Sequence, residues 1–156
     1  MVDDQSAGRH RDRLRLIALD VEDLAILSAH VQDAVLKVRD INWMPAERRV
    51  VVAMNRFVWE TALGRGRRRD YQRRLSALRF DRVEAVSSAG IDRAAGDAVL
   101  ELLAVRFEPR RSPSGDVLLD FAGRSALRVS VECLEAQLTD LGPVWSTPHA
   151  PRHILA

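Results

Sequence analysis

The chain has one cysteine, one lysine and one tyrosine, and these scarcities already exclude several classes of protein. With Cys133 alone no internal disulfide can form, which suits a reducing compartment and makes the cytoplasm the expected location. No apolar run approaches the ~20 residues that span a bilayer, so no membrane partner is expected. Residues 1–15 are polar, with Asp3, Asp4 and Asp12, and lack the apolar core of a secretory signal. The sequence also has no glycine-rich phosphate loop, no ligand set at metal spacing and no nucleophile beside a positioned base. It therefore assigns no catalytic residue, no metal and no cofactor.

What is present is ordinary in bulk and uneven in detail. Apolar residues make up 47% and charged residues 29%, the balance of a folded globular chain rather than a disordered one. All basic side chains except Lys37 are arginines, a bias that a GC-rich coding background explains more simply than function does. The net charge is only +2, but residues 65–74 hold six arginines against Asp70, a local +5 that leaves −3 for the rest.

Periodicity divides the chain into a leader at 1–13, expected to be disordered, a single domain at 14–143 and an extended tail at 144–156. A strand at 14–19 precedes Asp20, which stands at a helix N-cap position with Asp23 three residues on. Leu24, Leu27, Val31 and Ala34 then make the apolar stripe of a helix over 21–34. Strands are predicted at 35–44 and 49–60, joined as a hairpin through Pro45-Ala46-Glu47-Arg48. On the second of these Arg56 interrupts a face made by Val50, Val52, Met54 and Val58. Two glycines and the arginine run mark 61–73 as an exposed loop. Further strands follow at 74–80, 83–88, 98–108, 116–122 and 125–131, and Leu134, Leu138 and Leu141 predict a second helix over 132–141 that stops at Gly142-Pro143. The expected class is α+β: a mostly antiparallel sheet of about eight strands, curved or part-closed, with two helices. Strands closed by one C-terminal helix give a weak likeness to pleckstrin-homology-like barrels, although the helix at 21–34 departs from that pattern.

The arginine loop is the one local anomaly that could carry function. Arg65, Arg67, Arg68, Arg69, Arg73 and Arg74 could pair bidentately with phosphate or carboxylate, and Tyr71 could stack on a base. Codon bias weighs against this, so a solvated loop is the simpler reading and nucleic acid the less favoured partner. The histidines offer little. Pro148 and Pro151 deny His149 and His153 a shared helix, and His30 reads as a helix residue bonded to backbone. Cys133, between Glu132 and Glu135, reads as a small buried hydrophobe. Trp43 and Trp59 should pack, and Trp145 should dock back onto the sheet.

Several phrases resemble a known family: Leu16-Ile17-Ala18-Leu19-Asp20 with Glu22-Asp23-Leu24; Leu78-Arg79-Phe80-Asp81-Arg82-Val83; Leu103-Ala104-Val105-Arg106-Phe107-Glu108-Pro109; and the run from Val131 to Pro143. Over about 14–153 the chain is similar to small alphaproteobacterial proteins described only as a domain of unknown function. The resemblance implies a single-domain bacterial cytoplasmic protein and transfers no site. The leading expectation is a non-catalytic binding or regulatory module contacting a macromolecule, with a protein partner or a homodimer through an exposed strand edge. The alternative is an enzyme whose site is assembled from scattered residues such as His30, Asn55, Arg56, Tyr71 and Asp81.

Overall fold

The structure is a computed structural model that describes residues 13–58 and 71–147, without the side chains of 71 and 143–147. The leader through residue 12, Trp59, the arginines at 65, 67, 68 and 69, and His149 and His153 lie outside the described residues.

Strand β1 (Arg15–Ala18) leads to Asp20, whose carboxylate accepts the Asp23 N–H at 2.8 Å and starts helix α1 (Val21–Val31). The helix ends three residues before the expected 34, because Gln32 leaves helical geometry and Asp33 is left-handed at φ 64°. Leu24, Leu27 and Val31 are buried on one stripe, each contributing about 2 kcal/mol of apolar burial.

The segment predicted as a single strand at 35–44 is in fact two. β2 (Val35–Lys37) gives way to a one-turn 3₁₀ helix (Val38–Asp40) and then β3 (Ile41–Met44). The Asp40 carboxylate accepts the Lys37 N–H at 3.0 Å and tightens the turn. A second 3₁₀ turn (Pro45–Glu47), with Arg48 left-handed at φ 53°, completes the expected hairpin into β4 (Arg49–Phe57). β5 (Tyr71–Phe80) starts three residues before the predicted 74, so Tyr71, Arg73 and Arg74 belong to a strand rather than to the loop. β6 (Val83–Ala89), β7 (Val99–Pro109), β8 (Gly115–Phe121) and β9 (Ser125–Val131) lie close to expectation.

The second helix does not exist. Residues 136–147 form β10 (Ala136–Thr147), paired with β1 on one edge and β5 on the other. Burial alternates through Leu134, Ala136, Leu138 and Asp140, a period of two, while Leu141, needed for the helical stripe, is 50% exposed. Gly142-Pro143 falls in a register shift of the β10–β5 ladder rather than at a helix end, and 144–147, expected in the tail, stay paired to β5.

The described residues thus form one helix and ten strands, two more than predicted, ordered β1-β10-β5-β4-β2-β7-β8-β9-β6, with β3 also on β4. Every pairing is antiparallel. The sheet is not closed: β1 and β6 stand at its two ends. Being open, and without a C-terminal helix among the described residues, it does not match the pleckstrin-homology pattern. β7 joins the halves, pairing with β2 through Val99–Glu101 and with β8 from Leu102 onward. A single core unites both, from Val50, Val52 and Leu78 to Val117, Leu119 and Val129. Helix α1 packs mainly against β7, where Ser28 Oγ accepts the Val105 N–H at 2.9 Å.

Candidate functional site

Two arrangements stand out, one ionic and sealed, one apolar and open. The sealed one lies on the core face of β4, β5 and β10. That face is apolar at one end and becomes ionic at the other: Val52, Leu78 and Leu138 give way to Met54, Ser76 and Asp140, then to Arg56 and Arg74. Arg56, with no exposed side-chain surface, grips Asp140 through Nε–Oδ1 at 2.8 Å and Nη2–Oδ2 at 2.9 Å. Arg74 Nη1 adds a bond of 3.2 Å, Ser76 Oγ one of 2.6 Å and the Leu14 N–H one of 2.7 Å. Burial would raise the Asp140 carboxyl. The hydrogen bonds from Arg56, Ser76 and Leu14, with the Arg56 charge, outweigh it and hold the group at about 2.

This knot accounts for two of the residues singled out in the sequence. Arg56 is an ion-paired core residue rather than an interruption of the core, and Arg74 faces inward onto Asp140. Arg73 sits on the opposite face, 6.0 Å over the Phe57 ring, donating to the Asn55 carbonyl at 3.3 Å. Burial lowers its pKa, while the charges of Asp33 and Glu101 act the other way.

Of the residues of the enzyme alternative, Asn55, Asp81 and His30 have separate surroundings, and the side chain of Tyr71 lies outside the described residues. Asn55 is exposed, and Asp81 lies between Arg49 at 2.7 Å and Arg79 at 3.1 Å. His30, half-buried on α1, has Nδ1 at 2.9 Å from the Ile26 carbonyl, as expected for a helix histidine bonded to backbone. Cys133 is only half-buried and opens no helix, lying in the connection to β10. Among the described residues no group of three or more His, Cys, Asp or Glu is placed to hold a metal ion, and no helix is long and apolar enough to cross a membrane.

The open arrangement is a cleft of about 300 Å³ where β3, β6 and the 91–96 loop meet. Its floor is Val38 and Leu127, and its walls include Ile41, Trp43, Val86 and Ile91. Arg39 and Arg93 stand at its exposed rim. Backbone bonds fix the frame: Val38 N–H to Ala98 O and Arg39 N–H to Gly96 O, both 3.0 Å. Asp92 organises the loop by accepting the Ala94 N–H at 3.0 Å. At the far end the Val83 N–H reaches the Arg48 carbonyl at 2.9 Å, tying β6 to the β3–β4 turn. No motif announces this cleft, because its walls come from segments as distant as 38 and 127. Only Trp43, expected simply to pack, is recognisable beforehand as a residue able to face a ligand.

The architecture defines an open antiparallel sheet domain with one covering helix, an internal ionic knot and a lateral apolar cleft. The chain belongs to the family described as "Protein of unknown function (DUF2948)", whose model matches residues 14–153. Comparison with curated proteins and with solved structures finds no match.

Proposed function

We propose that the protein is a non-catalytic binding module that receives an extended segment of a partner polypeptide along the free edge of β6. The observation that carries this reading is the character of that edge. β6 ends the sheet, and beyond Val83 its second side forms no ladder among the described residues. From Ala85 to Ala89 it bears no charge and no proline, the usual devices that keep an edge from pairing. The opposite end, β1, has four residues and carries Arg15. Backbone groups of β6 would supply affinity to an added strand, and the adjoining cleft and the rim arginines Arg39 and Arg93 would favour a segment with apolar and acidic residues.

The test is selection of ten-residue peptides on the purified protein, followed by amide exchange. Selected peptides should slow exchange at residues 83–89, and Ala85→Lys with Ser87→Lys, both at exposed positions, should abolish binding without loss of fold. Peptides that bind equally to the double variant, or that leave β6 exchange unchanged, would overturn the reading. Self-association that disappears in the double variant would replace the partner with a second copy of the chain.

A further inference from the structure

The cleft beside β6 has a chemistry of its own, whether or not a strand is added to that edge. We infer that it is a binding site for a small monoanionic acid with an apolar body, the carboxylate at the rim and the body against Trp43. Its volume of about 300 Å³ is at the lower end of what small-ligand sites occupy. Ile41, Trp43, Val86, Ile91 and Leu127 give it apolar walls, so a wholly polar ligand would gain nothing from entering.

The rim decides the charge of the ligand. Arg39 Nη1 is held by Asp97 at 2.9 Å, and the same carboxylate lies 4.0 Å from Lys37. The Asp92 Oδ1 beside Arg93 is engaged by the Ala94 N–H. Arg93 has no carboxylate partner among the described residues. Lys37, Arg39 and Arg93 set against Asp92 and Asp97 leave one net positive charge at this rim, which matches a single negative charge on the ligand. A guanidinium suits a carboxylate because two of its N–H groups can meet both oxygens.

Phenylbutyrate, phenylbutanol and phenylbutylamine share one body and differ in charge, so they separate anion recognition from simple apolar uptake. Binding would be read by tryptophan fluorescence, with Trp43→Phe removing the local signal, and by calorimetry. The acid should bind about tenfold more tightly than the alcohol, and the amine more weakly than either. Arg93→Gln, an exposed substitution that leaves the core intact, should bring the acid down to the affinity of the alcohol while the alcohol is unaffected. Ser88→Leu, which narrows the cleft, should weaken both, with circular dichroism confirming that it folds. Equal binding of all three compounds, binding of none, or an acid preference that survives Arg93→Gln would each overturn the inference. Peptide addition at β6 is read separately, by amide exchange and at Ala85 and Ser87, so failure of the one reading is distinguishable from failure of the other.

Discussion

Arg56 and Arg74 stand directly opposite each other across the β4–β5 ladder, and Asp140 from the next strand bonds both. Like charges placed opposite in a sheet repel, and here the repulsion is buried, so the carboxylate between them is what permits the pair. Asp140→Asn should therefore cost about 3–5 kcal/mol, because it removes the charge that both buried guanidinium groups bond. Ser76→Ala, which removes one neutral donor, should cost only about 1–2 kcal/mol. Urea unfolding of the three proteins checks the order, and an Asp140→Asn variant within about 1 kcal/mol of wild type contradicts it.

The same carboxylate predicts an acid limit. In the folded protein it is held at about 2, whereas in the unfolded chain it titrates near 3.9. The unfolded state thus binds the proton more readily. The stability tied to Asp140 is complete above about pH 4 and is lost as pH falls through about 2, a change on the order of 2 kcal/mol. Unfolding free energies measured from about pH 5 downward should show this slope in the wild type and a shallower one in Asp140→Asn.

Gly115 is predicted to tolerate no side chain. It opens β8 between Pro109 of β7 and Val131 of β9, and a Cβ there would lie 2.6 Å from the Glu108 carbonyl and against the Phe107 ring. Gly115→Ala should cost about 1–3 kcal/mol through the forced shift of the β7–β8 ladder. Thermal unfolding decides it, and an unchanged midpoint would mean that Phe107 swings away freely.

The β8–β9 hairpin offers a gain instead. Gly123 and Arg124 both have positive φ, 80° and 62°, the pattern of a turn that favours asparagine or glycine. Arg124 is exposed, so Arg124→Asn should relieve the left-handed cost without removing a core contact and raise stability by up to about 1 kcal/mol. Calorimetry of the variant is the check.

Most strands were legible because one face of each is buried and the alternation survives in the sequence. β6, β8 and β9 kept their predicted bounds within a residue or two for that reason. β10 was not legible. Leu134, Leu138 and Leu141 have helical spacing, and the alternation that matters runs through Ala136 and Asp140, one small and one charged. Asp140 becomes a core residue only through arginines 84 and 66 positions away, a separation that no local period encodes. Arg56 was misread for the complementary reason. The cleft was invisible because Val38, Val86 and Leu127 are ordinary strand or turn residues until the sheet brings them together.

The ladder between β1 and β10 sets an order on biogenesis. Arg15–Ala18 meets Ala136–Thr139, and the Leu14 N–H meets Asp140, so the first strand has no partner until almost the whole sheet has been synthesised. Arg56 and Arg74 gain their bonds to the same carboxylate only at that stage. Assembly on the ribosome can therefore advance no further than a sheet that still lacks the Asp140 bonds to both guanidinium groups. The β1–β10 ladder can form only after residues 136–140 have emerged, and pairings of such long sequence separation are the mark of slow-folding topologies.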